Sequence, residues 1–304
     1  MLQRARDLAQ TAYERLLERE LSDAPSHVAV IQDGNRRYAR EQGADTTAGY
    51  TEGAETTEAL LHWCDELAVD EVTLYTFSTE NFDRPKEQQE HLFDLIERKL
   101  RAFADTDRVH DNEVRIRAIG ETERLPERVR DAIDYAESRT ACYDRLQLNV
   151  ALAYGGRAEL LGATRDIARA VDDGELDPES VDADTIEGRL YEGPTRDVDL
   201  IVRTGGDERT SNFLPWHAKG NEAAVYFCAP YWPEFRKIDF LRAIRTYEHR
   251  AESWRRTRAR RALTLVRALG PEASQARRIL GRFRDALTRQ EREAVEDDVD
   301  VVAD

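Results

Sequence analysis

Residues 27–40 read "HVAVIQDGNRRYAR". The β-branched apolar run at the start is read as a buried strand. The Asp-Gly step marks its end, and the residues that follow open a helix. A strand that stops at such a turn and feeds a helix offers backbone N–H groups and a helix N-terminus to an anion. Arg36 and Arg37 add charge-assisted hydrogen bonds suited to phosphate oxygens. Asp33 is the lone anion among them. It would repel phosphate unless a cation lay between, so Mg²⁺ bridging the carboxylate and a diphosphate resolves the conflict. A plain Asp-Gly turn with solvated arginines is the competing reading of this stretch taken alone.

Working outward, five more apolar runs read as strands: 71–77, 114–120, 146–154, 198–203 and 223–227. Helical patterns lie between them near 50–67, 86–104, 126–140, 157–172 and 179–191. Strands alternating with helices predict an α/β fold, a mainly parallel six-stranded sheet flanked by helices. Right-handed crossovers then gather the loops after the strands on one edge, where ligands of open α/β sheets bind. Residues 1–25 read as a charged amphipathic N-terminal helix, 26–250 as one catalytic-type domain, and 251–304 as a helical extension with an acidic tail.

The 304 residues carry a formal net charge of -16, and 40% are hydrophobic. That composition fits a globular chain. No apolar run reaches the roughly 18–20 residues of a membrane span. The N-terminal stretch lacks an apolar signal core, so a cytoplasmic protein is expected. Lysine occurs only at Lys86, Lys99, Lys219 and Lys237. An acidic, lysine-poor chain suits concentrated salt, and a halophilic source is inferred. General nucleic-acid binding is disfavoured, because phosphate contacts need a basic footprint. In such salt an exposed patch is screened within about 3 Å at 1 M, so working charge belongs in a pocket. Cys64, Cys142 and Cys228 are widely spaced and read as small buried hydrophobes rather than a disulfide or metal framework.

Three further polar clusters follow or precede predicted strands. "FSTENFDRP" (77–85) places Ser78, Thr79, Glu80, Asn81, Phe82 and Arg84 directly after the second strand. Helix capping accounts for one or two of these residues, not all. "RTGGDERTSNF" (203–213) sets Arg203, Arg209, Thr210 and Ser211 around a Gly-Gly pair that lets backbone approach a ligand, a second oxyanion cradle. Glu222 precedes the last strand and is a candidate second metal carboxylate. There is no GxxxxGK[ST] loop, no GxGxxG after the first strand, no HExxH spacing and no DDxxD.

With these blocks in order, the chain resembles the cis-prenyltransferase family, the undecaprenyl and dehydrodolichyl diphosphate synthases. The resemblance is carried by "HVAVIQDGNRRYAR", "TLYTFSTENFDRP", "LNVALAYGGRAEL", "DLIVRTGGDERTSNFLPW" and "YFCAPYWPEF", spanning about residues 26–250. It implies repeated addition of isopentenyl diphosphate, with cis geometry, to an allylic diphosphate. Asp33 would hold Mg²⁺ on a diphosphate. Gly34, Asn35, Arg36 and Arg37 would cradle the allylic diphosphate, with Tyr38 beside it. Arg203, Arg209 and Ser211 would hold isopentenyl diphosphate, with Glu222 as the second carboxylate near the metal. Asn81 stands where the family places a residue linked to proton removal, a role read here as positioning because an amide is a poor base.

Two positions depart from the family. Where members carry Gly-His-x-x-Gly, this chain reads Gly49-Tyr50-Thr51-Glu52-Gly53, and Thr46 stands where many have Arg. Weaker diphosphate binding or slower turnover is expected. A long lipid product implies an apolar tunnel, with Leu92, Leu95, Ile96, Leu100 and Phe103 as a candidate wall. An archaeal source would favour a C20 starter such as geranylgeranyl diphosphate. The resemblance also implies a homodimer, through helices and "YWPEF". The Arg-rich stretch 241–268 is read first as a salt-bridged surface helix, and second as a peripheral contact with anionic lipid at the inner face of the membrane. A non-catalytic partner subunit and a Mg²⁺-dependent phosphohydrolase are the rival readings.

Overall fold

The computed structural model describes residues 13–190, 196–218, 223–251 and 253. The chain divides into two units, Met1–Arg245 and Thr246–Asp304. Of the second, residues 246–251 and 253 are described and are helical. Residues 1–12 of the expected N-terminal helix, and the extension beyond 253, lie outside the described residues.

The first unit opens with α1 (residues 13–20). Then follow β1 (His27–Ile31), α2 (Asn35–Glu41), α3 (Thr46–Glu66), β2 (Glu71–Ser78), α4 (Lys86–Ala104), α5 (Asp107–Asp111) and β3 (Val114–Ile119). After them come α6 (Glu127–Thr140), β4 (Leu146–Tyr154), α7 (Gly156–Asp172), α8 (Ala183–Glu187), β5 (Leu200–Arg203) and β6 (Ala224–Phe227). A last helix, α9, begins at residue 237. The six strands form one sheet in the order β3-β4-β2-β1-β5-β6, and every pairing is parallel.

All five residues of β1 are buried, as a central parallel strand covered on both faces requires. The chain leaves β1 toward β2 on one side and returns across it to β5 on the other. The crevice where that direction reverses lies at the carboxyl ends of β1 and β5, the place where open α/β sheets bind ligands. Ile31 pairs with Arg203 in this register, so Asp33, two residues past Ile31, is brought beside Arg203.

Local chemistry moved several boundaries. α3 starts at Thr46, not 50, because the Asp45 side chain accepts from the Thr47 N–H and caps the helix there. The helix expected at 179–191 is only α8, preceded by a 3₁₀ turn at Pro178–Ser180. Asp182 caps α8 by accepting from the Thr185 N–H, which fixes its start inside the expected span. β5 starts at Leu200, because the Val198 N–H bonds the His217 carbonyl outside the ladder. Cys64 and Cys228 are buried as expected, but Cys142 is exposed just past the end of α6. In "YWPEF", Trp232 and Phe235 are buried within the chain; Trp232 Nε1 donates to the Gly53 carbonyl of α3 at 2.6 Å. Among the described residues no helix is long and apolar enough to cross a membrane.

Candidate active site

Asp33 is the centre of the site. Its Oδ2 accepts from Arg203 Nη2 at 2.7 Å, and its Oδ1 lies 3.1 Å from Arg37 Nη2. Partial burial pushes the Asp33 carboxyl up, but the hydrogen bond and charge of Arg203, with Arg37 behind it, outweigh burial and hold it below the usual carboxylate range. The group is therefore an anion at neutral pH. Gly34 follows at φ 103, the left-handed region in which an L side chain is strained. A Cβ there would also meet the Tyr231 ring at 2.5 Å. This turn starts α2 at Asn35, so the backbone N–H groups of its first turn open toward the carboxyl ends of the strands.

The second cluster folds as a 3₁₀ turn, Thr79–Asp83, directly after β2. Asn81 Oδ1 accepts from the Ser78 N–H at 3.2 Å. With its oxygen committed to the turn, the amide offers a ligand N–H donors rather than a base. Arg84 Nη1 donates to the Tyr50 hydroxyl at 2.6 Å, joining this turn to α3. Thus Tyr50 orients an arginine.

The third cluster runs on from β5. Arg203 is buried; its Nη1 donates to Ser211 Oγ at 2.7 Å and to the Arg209 carbonyl at 2.6 Å. Ser211 and Asn212 hold positive φ, 51 and 55, which turns the loop back over the strand end. Two residues here escaped the sequence reading. The Thr204 hydroxyl accepts from the Asp33 N–H and donates to the Asp33 carbonyl. Asp207 lies 3.1 Å from Arg209, 3.5 Å from Arg203 and 3.7 Å from Arg37. The signal for Asp207 was its place four residues past Arg203; Thr204 gave none beyond following an arginine at a strand end. Glu222 lies outside the described residues.

These clusters form the mouth of a cavity of about 740 Å³. Of the predicted site residues, Asp33, Asn35, Arg36, Tyr50, Ser78, Glu80, Asn81, Arg84, Arg203, Arg209 and Ser211 line it. The others do not. Arg37 turns to Asp33 and to the Gly205 carbonyl, and the Tyr38 hydroxyl donates to Glu52. Thr79 packs against Gly155. Phe82 packs against Phe77 and Phe93 under the Arg124 guanidinium. The Thr210 carbonyl closes the loop by accepting from the Phe213 N–H. Inward from the mouth the walls become apolar, and all five expected α4 residues, Leu92, Leu95, Ile96, Leu100 and Phe103, line them. Ile116, Leu148 and Val150 of the sheet form the floor.

Among the described residues no group of three or more His, Cys, Asp or Glu is placed to ligate a metal. The Asp33 carboxylate fits Mg²⁺ nonetheless, since that ion is commonly held by one or two carboxylates plus substrate phosphates and water. The arrangement suits two anionic head groups side by side, with an apolar chain running inward from one of them.

Comparison with known proteins agrees with this chemistry. Residues 31–255 match the prenyltransferase family model described as "Putative undecaprenyl diphosphate synthase". The tritrans,polycis-undecaprenyl-diphosphate synthase (geranylgeranyl-diphosphate specific) of Haloarcula marismortui is 70% identical over 302 residues, 99% of each chain. The protein of the same description from Halobacterium salinarum is 70% identical over 281 residues, 92% of this chain and 93% of its own. The crystal structure of lavandulyl diphosphate synthase from Lavandula x intermedia, in complex with dimethylallyl diphosphate, superposes with a TM-score of 0.69 at 30% identity, covering 74% of this chain and 95% of that one. The chain belongs to the undecaprenyl diphosphate synthase family of cis-prenyltransferases.

Proposed function

We propose that this enzyme condenses isopentenyl diphosphate repeatedly onto geranylgeranyl diphosphate and releases an undecaprenyl-type polyprenyl diphosphate. The observation that carries the reading is Asp33, bonded to Arg203 and Arg37 where two cationic clusters meet at the mouth of an apolar cavity. In each cycle the allylic C–O bond breaks and diphosphate leaves with the electron pair. The isopentenyl double bond attacks the allylic carbon, and a proton is lost from the isopentenyl unit to restore a double bond. Asn35 and Arg36, with the first-turn N–H groups of α2, bind the departing diphosphate. Arg203, Arg209 and Ser211 bind isopentenyl diphosphate, and Asn81 positions it. Mg²⁺ held by Asp33, with Glu222 as a second carboxylate, would offset the charge that grows on the leaving group. Fixed cations and N–H dipoles aimed at that charge supply the largest part of the rate enhancement. The proton goes to diphosphate or to Asp33.

Residues 26–250 are proposed as the catalytic domain and 251–304 as a helical extension. The active form is proposed to be a homodimer that meets the membrane peripherally as its lipid product leaves. The starter preference follows the names of the haloarchaeal relatives. Supplying C10, C15 and C20 allylic diphosphates in competition for labelled isopentenyl diphosphate tests it. The C20 starter is expected to take most of the label; preference for C10 would overturn this choice.

A further inference from the structure

Asp207 is a charged residue at the mouth that the proposed condensation leaves without a task. It stands on the loop after β5, four residues past Arg203. One of its oxygens, Oδ2, lies 3.1 Å from Arg209 Nη2, 3.5 Å from Arg203 Nη2 and 3.7 Å from Arg37 Nη2. Guanidinium groups converging on one anionic oxygen are the usual way a phosphate oxygen is held. Arg203 and Arg209 are also the cations assigned above to isopentenyl diphosphate. The carboxylate therefore stands where an oxygen of that substrate would bind, and the two exclude each other.

The loop is built to release this carboxylate. Gly205 and Gly206 hold φ 84 and 78, and their N–H groups bond the Pro230 carbonyl at 2.7 Å and the Cys228 carbonyl at 2.9 Å. On the far side, the Arg209 carbonyl accepts from Arg203 Nη1 at 2.6 Å. Asp207 sits between these two anchors, so a change of its rotamer swings the carboxylate without disturbing either. Its ion pairs are weak ones. The contacts to Arg203 and Arg37 are long for hydrogen bonds. The side chains of Asp207 and Arg209 are 34% and 65% exposed, which weakens the third.

Chain growth gives such an exchangeable anion a use. In each condensation the new carbon–carbon bond joins the chain to the isopentenyl unit. The lengthened chain then ends in the diphosphate held by Arg203, Arg209 and Ser211. Before the next cycle that diphosphate must move to the cradle at Asn35 and Arg36. Its departure strips an anion from Arg203, which is only 4% exposed, and a buried charge that loses a partner is destabilised. A tethered carboxylate can take over as the diphosphate leaves, and it loses no translational freedom in doing so.

Resting on the proposed condensation, we propose that Asp207 is the return counter-ion of the isopentenyl diphosphate cradle. It fills the three arginines between cycles and yields to isopentenyl diphosphate. It comes back as the diphosphate of the lengthened chain moves to the allylic cradle. Asp207 is a positioning residue, acting through Arg37, Arg203 and Arg209. As a competitor within the site it weakens diphosphate binding, whereas a residue that merely oriented the arginines would strengthen it.

The test compares the full chain with its Asp207→Asn and Asp207→Glu variants. Isopentenyl diphosphate is titrated without an allylic starter, so that nothing reacts, and inorganic diphosphate is titrated in parallel. Asp207→Asn is expected to bind both about three- to tenfold more tightly, the effect of losing weak ion pairs. Asp207→Glu keeps the carboxylate and is expected to bind like the parent. With geranylgeranyl diphosphate and labelled isopentenyl diphosphate supplied together, Asp207→Asn is expected to complete the first condensation and lag in the second, so the once-extended diphosphate accumulates. Weaker or unchanged diphosphate binding by a folded Asp207→Asn variant overturns the counter-ion, as does a second condensation that keeps pace with the first. A parent that neither binds isopentenyl diphosphate nor extends the starter overturns the condensation reading instead, and the inorganic diphosphate titration still decides the role of Asp207.

Discussion

Thr204 grips Asp33 by its main chain from both sides. Its hydroxyl accepts from the Asp33 N–H at 3.0 Å and donates to the Asp33 carbonyl at 2.7 Å. The carboxylate at the centre of the site is thus fixed by a buried residue of the neighbouring strand end. Thr204→Val keeps the shape and removes both bonds. The Asp33 N–H still reaches the Ile31 carbonyl, and its carbonyl still accepts from the Trp232 N–H. The stability cost is therefore modest, about 1–2 kcal/mol. The rate cost is larger, because a misplacement of about 1 Å can cost about 100-fold. A kcat loss of roughly tenfold or more, with KM little changed, is expected. Thr204→Ser should recover most of it, and an unchanged kcat in the valine variant would remove Thr204 from this role.

Tyr50 holds Arg84 through a 2.6 Å hydrogen bond at the cavity mouth. Tyr50→Phe frees the guanidinium, and KM for the allylic diphosphate should rise about three- to tenfold, in line with loss of about 1 kcal/mol. Tyr50→His replaces the phenol with a group that gains positive charge on acidification. That variant should bind the allylic diphosphate more tightly at pH 6 than at pH 8, relative to the parent. Binding titrations that show the same pH response in both proteins would contradict this.

Gly53 faces Asn35 across the α2–α3 contact. A Cβ at this position would come within 2.3 Å of Asn35 Oδ1 and 2.8 Å of the Trp232 ring. Alanine in a helix interior gains about 1 kcal/mol over glycine, whereas overpacking costs about 1–3 kcal/mol. The net change in stability is small, so Tm should fall by no more than a few degrees. Activity should fall much further, about tenfold, because Asn35 must move away from the allylic cradle. Equal losses of stability and activity would argue that Gly53 serves packing alone.

His27 is buried at the opposite edge of the sheet. Its Nδ1 and Nε2 lie 2.8 Å from the Arg196 carbonyl and 2.8 Å from Thr73 Oγ1. Burial pushes its pKa below the ordinary 6.5, although the nearby carboxylates of Glu71 and Asp199 pull it the other way. The unfolded chain therefore binds a proton in a pH window where the folded chain does not. Stability from this group is complete above about pH 6.5 and declines as pH falls below it. Denaturant titrations from pH 8 to 5 should show that decline, and a His27→Gln variant should show less of it. A parallel decline in both proteins would assign it to other groups.

Much of this was legible because the strands are unambiguous. β1 and β4 were placed to the residue by buried runs of apolar and β-branched residues. Asp33, Asn81 and Arg203 were readable because each stands at or just after a strand end, where a parallel sheet collects its polar residues. What was not legible depends on neighbours distant in sequence. Thr204 matters only because β1 and β5 pair with Ile31 opposite Arg203. Tyr38 belongs to the polar cluster after β1 by sequence, but its side chain finds Glu52 of α3. The Glu58–Lys99 contact spans 41 residues and appears only when α3 and α4 are laid side by side. The short helix at 183–187 was overextended because the side-chain cap at Asp182 lay unnoticed among many acidic residues.

The decisive measurement is incorporation of labelled isopentenyl diphosphate into extractable lipid by the purified protein alone, in high salt with Mg²⁺ and geranylgeranyl diphosphate. Long-chain labelled product is predicted, and it should vanish in the Asp33→Ala variant. No lipid product from a folded protein, restored only when a second homologous chain is added, would contradict the account and identify this chain as a partner subunit.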